Sequence, residues 1–103
     1  MRAKGELPDA PELHAFVLAY MSDMGAVRAA RRAHEGDGEV RLMTASLDHA
    51  LWFHRPVRAD RWLLYTLEAV SGSNARGLVW GSFHTADGKL AMTIAQEALL
   101  RPV

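Results

Sequence analysis

Cysteine is absent from the 103 residues of this chain. Its absence excludes a disulfide scaffold, thiolate metal sites and a cysteine nucleophile. A net charge of either sign is also missing, because twelve Lys and Arg residues balance twelve Asp and Glu residues. A neutral chain has no net field that would attract nucleic acid or an anionic membrane surface. We therefore expect neither nucleic acid nor membrane as a partner.

Long apolar runs are missing as well. The first nine residues hold no apolar core of the kind that a signal peptide needs, and no stretch approaches the roughly 20 apolar residues of a membrane span. Together with the lack of cysteine, this predicts a cytoplasmic protein. The length suffices for one small domain. Half of the residues are hydrophobic, and a domain of this size buries only about 60–70% of its unfolded surface, which favours an oligomer.

A helical segment is predicted in the first third of the chain. Pro8-Asp9-Ala10-Pro11 is typical of a helix start, with Asp9 as the cap and prolines tolerated in the first turn. Ser22 and Asp23 are cap-type residues that interrupt the apolar pattern. The pattern allows a break there with a second helical segment from Met24 to about His34, or one continuous helix. Apolar residues at helical spacing predict one buried stripe: Leu13, Phe16, Val17, Tyr20, Met24 and Val27.

Four antiparallel strands are predicted after a polar loop at residues 35–39. Trp80 and Phe83 are expected on opposite faces of the third strand, because side chains alternate along a strand. Turns are predicted at 71–74 and at 86–88, where Asp-Gly supplies the positive φ angles of a tight hairpin. A helix followed by such strands is an α+β domain with a sheet against a helix. The predicted strands are Val40 to Ser46, continuing irregularly to Pro56, then Arg61 to Val70, Ala75 to Thr85, and Lys89 to Arg101.

The last predicted strand carries a polar residue on its apolar face. Every second side chain of a strand points the same way. A buried amide without hydrogen-bond partners costs about 1–3 kcal/mol, so we expect Gln96 to have partners. The residues alone leave open whether these partners tie two strands together or take part in chemistry. The face reads Leu90, Met92, Ile94, Gln96, Ala98 and Leu100.

Several short motifs, in this order and spacing, resemble the C-terminal half of the acyl-CoA thioesterase II (TesB-like) family. The resemblance extends from about Arg2 to Arg101, and members of the family usually carry two hotdog domains in one chain. It implies a single hotdog domain over residues 1–103, with an antiparallel sheet wrapped around a central helix and its first strand clipped at Met1. The motifs are SLDHALWFHRP at 46–56, WLLY at 62–65, SGSNARG at 71–77, TADG at 85–88 and AQE at 95–97.

The resemblance also implies an activity, the hydrolysis of acyl-CoA to a free fatty acid and coenzyme A. Family members hold the attacking water with a carboxylate, a hydroxyl and a glutamine, and for this chain we expect no cofactor. The matching positions are Asp23, Ser46 and Gln96, with serine where the family usually has threonine. The chemistry is reasonable, because a thioester is electrophilic enough for a positioned water. Asp23 can accept its proton, while Ser46 and Gln96 orient it through hydrogen bonds.

A competing cluster of polar residues comprises Asp48, His49, His54 and His84. Histidines near an aspartate can serve acid–base or metal chemistry. However, their spacing fits no compact metal motif, and we expect no metal site. Asp48-His49 belongs to the family motif, and we expect it to have a structural role.

Alternative functions follow from the short length, which is half of that usual in the family. A non-catalytic acyl-CoA-binding or assembly half-domain is the alternative to a thioesterase. A hotdog dehydratase is a weaker third, because neither His14 nor His34 lies in a matching motif. Three partner arrangements stay open: a homodimer or higher homo-oligomer, a second hotdog half, or a longer chain of which this is a fragment.

Overall fold

The computed structural model describes residues 1–26, 28–30, 42–73 and 75–102. Helix α1 packs through its buried side chains against an antiparallel sheet, which confirms the predicted α+β class. The sheet has five strands where the sequence predicted four. The elements are α1 (Pro11–Ser22), β1 (Leu42–Ser46), β2 (Ala50–Phe53), β3 (Leu63–Ser73), β4 (Arg76–Thr85) and β5 (Leu90–Pro102).

Strand β5 is the centre of the sheet. It pairs with β4 along one side, and β4 in turn pairs with β3. Its other side is shared, because β2 pairs with Met92–Ala95 and β1 pairs with Ala98–Pro102. The predicted first strand is therefore two strands, which lie end to end beside β5. Gln96 and Glu97 face the interruption between them.

Residues 47–49 span this interruption without leaving β5. The Leu47 N–H donates to Glu97 O at 2.9 Å. Asp48 supplies a carboxylate in place of a main-chain acceptor, and the Glu97 N–H donates to its Oδ1 at 2.8 Å. This contact is the structural role expected for Asp48. A side-chain oxygen thus replaces one main-chain acceptor of the ladder. For this reason β1 and β2 are two separate strands.

The two predicted turns have different outcomes. The turn at 86–88 is confirmed: Gly88 has φ +86° and its N–H donates to Thr85 O at 2.9 Å. The turn at 71–74 is wrong over its first three residues, because β3 continues to Ser73. Residues 71–73 stay in the ladder opposite Leu78, Gly77 and Arg76, so pairing overrides their turn-type composition. Asn74 lies outside the described residues.

Of the two alternatives left open after Ser22, a break or one continuous helix, the structure shows the break. Residues 23–25 form a turn, with Gly25 at φ +91°, and the chain is helical again at residues 26 and 28–30. The remainder of the predicted second segment lies outside the described residues. Within the described ranges, no helix is both long and apolar enough to cross a membrane.

The predicted buried stripe of α1 is wrong at Phe16, Tyr20 and Met24, which are exposed, whereas Val17 packs against the core and Leu13 is half-buried. Val27 lies outside the described residues, and the predicted cap is wrong. Phe16 and Tyr20 are 72% and 71% exposed. The buried residues of the helix are His14, Leu18, Met21 and Ser22, which include two polar side chains with hydrogen-bond partners. Ala10, not Asp9, is the N-cap, because the Asp9 carboxylate pairs instead with Arg58. The proline at the start of the helix matches the expectation.

The core lies between α1 and the inner face of the sheet. Leu18 and Met21 pack with Phe83, Met92 and Ile94. The predicted alternation is confirmed in β5, where the face from residue 92 to residue 100 is buried and only its first member, at position 90, is exposed. It is also confirmed in β4, where Phe83 points inward and Trp80 outward.

Candidate functional site

Gln96 lies where β5 passes the interruption between β1 and β2. Its side chain is 1% exposed, yet both ends of the amide have partners. Nε2 donates to Ser46 Oγ at 2.7 Å, and Oε1 contacts His49 Nδ1. Ser46 ends β1, and His49 comes directly before β2. The interruption therefore supplies both partners that the buried amide requires.

His49 connects this amide to the end of helix α1. Its Nε2 is 2.8 Å from Ser22 Oγ, and the Ser22 hydroxyl is also 2.7 Å from Ala19 O. Ser22 is buried, and its carbonyl accepts a hydrogen bond from the Tyr65 hydroxyl. One chain of contacts therefore runs from β5 to the helix terminus.

Asp23 is the next residue after Ser22 and caps the helix at its C-terminal end. It is exposed and faces a cavity of about 410 Å³. Burial and, second, the negative charge of Asp23 raise the pKa of Tyr65 above its ordinary value. The cavity is lined by Ala19, Tyr20, Asp23, Ser46, Leu47, Asp48 and His49.

The structure brings the three predicted site residues into one region. Asp23 and Ser46 line the same cavity, and Gln96 reaches its wall through the hydrogen bond to Ser46. His49 is the residue that sequence reasoning missed as part of this region. The sequence carries the Asp-His pair two residues after Ser46, but the pair alone does not indicate the contact with Gln96. A carboxylate, a hydroxyl and an amide arranged in this way can orient a water molecule.

His54 and His84 do not join this region. His54 Nε2 contacts Thr93 Oγ1 at 2.8 Å on an exposed part of the sheet, and His84 lies on β4 opposite Leu64. In the part of the chain that the structure describes, no group of three or more histidine, aspartate or glutamate side chains is arranged to hold a metal ion.

His14 has a structural explanation. Its Nδ1 accepts from the Ala59 N–H at 2.9 Å, which leaves Nε2 to donate to Pro8 O at 2.8 Å. Both ring nitrogens are thus occupied by the main chain. His34, the other histidine weighed for dehydratase chemistry, lies outside the described residues.

Comparison with known proteins bears on both fold and family. A family model described as acyl-CoA thioesterase matches residues 1–99. Acyl-coenzyme A thioesterase 8 of Mus musculus is 42% identical over 102 residues, which are 98% of this chain and 32% of that protein. Acyl-CoA thioesterase 2 of Haemophilus influenzae is 35% identical over 101 residues, 97% of this chain and 35% of that protein. The chain spans about a third of the length of these curated relatives.

Two solved structures are similar over nearly the whole chain. Acyl-CoA thioesterase II TesB2 from Mycobacterium marinum superimposes with a TM-score of 0.88 at 41% identity, covering 99% of this chain and 40% of that one. The tesB protein of Mycobacterium avium subs paratuberculosis superimposes with a TM-score of 0.86 at 33% identity, covering 98% of this chain and 39% of that one. These likenesses confirm the hotdog fold and the family resemblance.

Proposed function

The chain belongs to the acyl-CoA thioesterase family, and from that premise we propose that it hydrolyses acyl-CoA to a free fatty acid and coenzyme A. The observation that carries the proposal is the hydrogen bond from Gln96 Nε2 to Ser46 Oγ, at the wall of a cavity that Asp23 also lines. Relatives that match nearly the whole chain are named acyl-CoA thioesterases.

The proposed reaction uses a water held between Asp23 and Ser46. Asp23 accepts a proton as the water oxygen attacks the thioester carbonyl carbon. The new C–O bond gives a tetrahedral intermediate, and the C–S bond then breaks. The proton returns from Asp23 to the leaving sulfur, so that the products are the acid and the free thiol of coenzyme A.

Gln96 acts in this scheme through the Ser46 hydroxyl. A hydroxyl has one hydrogen and accepts through its lone pairs. Because Nε2 of Gln96 donates to Ser46 Oγ, the hydrogen of Ser46 is left for a group in the cavity. We propose that this hydrogen orients the water or the thioester oxygen. The amide therefore sets the direction of the hydroxyl without being exposed itself.

The experiment is a coenzyme A release assay across acyl chain lengths. We expect Ser46→Ala and Gln96→Ala to lower kcat/KM by about 10- to 100-fold, since removing an oriented hydrogen-bonding group costs on the order of 1–3 kcal/mol. Ser82→Ala is the matched control, because Ser82 is also a strand serine, with Thr66 Oγ1 3.0 Å from its hydroxyl. Equal activity of the wild type and the two site variants would contradict the proposal.

The alternative is a non-catalytic acyl-CoA-binding or assembly half-domain. It is favoured by one observation, that the chain spans about a third of the length of its curated relatives. Under this alternative the chain binds acyl-CoA or associates with a partner but releases no coenzyme A above background. The same assay, run beside a binding measurement, separates the two functions.

A further inference from the structure

The side-chain amide of Gln96 has a direction, because one end donates and the other only accepts. In the structure its nitrogen faces Ser46 and its oxygen faces His49 Nδ1. An amide oxygen has no hydrogen, so its partner must donate. His49 therefore carries a hydrogen on Nδ1.

The ring of His49 is held at its other side as well. Its Nε2 lies 2.8 Å from the hydroxyl of Ser22, a fully buried residue at the end of α1. The preceding residue, Asp48, is fixed to β5 by the hydrogen bond from Glu97. A rotation of the ring would break contacts on both sides, so the position of the Nδ1–H is fixed by the fold.

We propose that His49 is a positioning residue, and this inference rests on the thioesterase function proposed above. Its Nδ1–H holds the oxygen of the Gln96 amide, so the nitrogen must face Ser46. If the amide turned over, its oxygen would face Ser46 and accept the only hydroxyl hydrogen. Ser46 would then have no hydrogen for a group in the cavity. His49 prevents this reversal.

A matched pair of substitutions separates the two nitrogens of the ring. His49→Asn keeps a donor near the position of Nδ1 but loses the contact with Ser22. His49→Gln keeps a polar group near the position of Nε2 but loses the contact with Gln96. We expect His49→Asn to retain kcat within about threefold and His49→Gln to lower it about 10- to 100-fold at similar KM, because small misplacements of a positioned group have effects of this size.

Two further variants provide a control for the substitution and test whether His49 and Gln96 act together. His54→Gln makes the same substitution at an exposed histidine on the sheet, and we expect wild-type activity. In a Gln96→Ala background, His49→Gln should add no further loss, because the two residues act as one unit. Equal losses for His49→Asn and His49→Gln, or a full additional loss in the Gln96→Ala background, would overturn the proposal.

A readout without substrate keeps this inference separate from the proposed function. The ¹⁵N chemical shifts of the His49 ring, measured on the wild-type chain at about pH 8, above the ordinary histidine pKa, report which nitrogen carries the hydrogen. We expect a hydrogen on Nδ1, the nitrogen that faces the Gln96 oxygen. A ring protonated at Nε2 alone would overturn the inference. Absence of coenzyme A release from the wild type together with the expected tautomer would overturn the proposed function and leave the contact with Gln96 confirmed.

Discussion

Gln96 shows how a strand can carry a buried amide without losing stability. An unpaired amide at this depth would cost about 1–3 kcal/mol. The structure gives its nitrogen a hydroxyl from the end of β1 and its oxygen an imidazole from the segment that joins β1 to β2. The two partners also give the amide a fixed direction. These contacts remove the cost of burying the amide. They also fix its direction, so that it can orient the Ser46 hydroxyl toward a group in the cavity.

Tyr65 allows a test of the network behind the cavity. Its ring stacks on Phe83 with centroids 4.1 Å apart, and its hydroxyl donates to Ser22 O. Tyr65→Phe keeps the stacking and removes the hydrogen bond. We expect a loss of about 1 kcal/mol in the free energy of unfolding in urea, the usual net value of one hydrogen bond. Tyr20→Phe, at an exposed position, should change it by less than about 0.5 kcal/mol. Equal effects of the two substitutions would contradict a role for this hydroxyl in holding Ser22.

At the scale of elements, the interruption between β1 and β2 organises the site. Two short strands share one side of β5, and the residues between them face Gln96. The sequence predicted what local patterns decide, namely the alternation of β5 and the turn at 86–88, and it left the break after Ser22 as one of two alternatives. It did not predict the split strand, because that depends on the side chain of Asp48 replacing a main-chain acceptor of a distant strand.

Helix α1 illustrates the same limit. The apolar pattern placed Phe16 and Tyr20 inside, whereas the structure buries His14 and Ser22. Hydrophobicity alone cannot identify a buried histidine, because its burial is compensated by partners from residues far along the chain, such as Ala59. The candidate site was predictable where the family resemblance supplied it, at Asp23, Ser46 and Gln96. His49 required the three-dimensional contacts.

The segment before α1 is attached through a buried carboxylate, which predicts a pH dependence. Asp60 accepts hydrogen bonds from Arg58 Nε at 2.9 Å and Nη2 at 2.8 Å, and from the Leu7 N–H at 2.8 Å. The bonds from Arg58 and then the one from Leu7 hold the pKa of Asp60 below its ordinary value. Its contribution to stability is therefore complete above about pH 4, the ordinary aspartate pKa, and is lost as the pH falls toward the lower pKa of the folded state.

Urea unfolding measured from about pH 6 to about pH 3 tests this dependence. We expect the wild-type unfolding free energy to fall with pH and Asp60→Asn to show a shallower slope, because it has no carboxylate to protonate at this position. Identical slopes for the two proteins would contradict the assignment to Asp60.

At the scale of the whole molecule, much apolar surface is uncovered. Large patches of exposed apolar side chains commonly mark an interaction surface. Since the chain spans about a third of its curated relatives, we propose that a second copy or a second hotdog half covers part of this surface. The large side chains that are more than half exposed are Phe16, Tyr20, Trp52, Trp62, Leu64 and Trp80.

Two neighbouring substitutions on α1 separate association from folding. Phe16→Ser alters an exposed side chain, so we expect it to weaken association and to leave the folding of the single chain nearly unchanged. Leu18→Ala removes a core side chain and should cost about 2–5 kcal/mol of unfolding free energy. Light scattering gives the mass relative to 11.4 kDa for one chain. If Phe16→Ser leaves the mass of an oligomeric wild type unchanged, this face of the helix is not the interface.

The most direct measurement of the central claim is the rate of coenzyme A release by Asp23→Asn compared with Asp48→Asn. Both residues line the cavity, and both substitutions keep the shape of the side chain. If Asp23 is the general base, its substitution lowers kcat by about 100- to 10,000-fold. Asp48→Asn should stay within about threefold of the wild type, since an amide oxygen can still accept the hydrogen bond from Glu97. An Asp23→Asn variant with wild-type turnover would contradict the account.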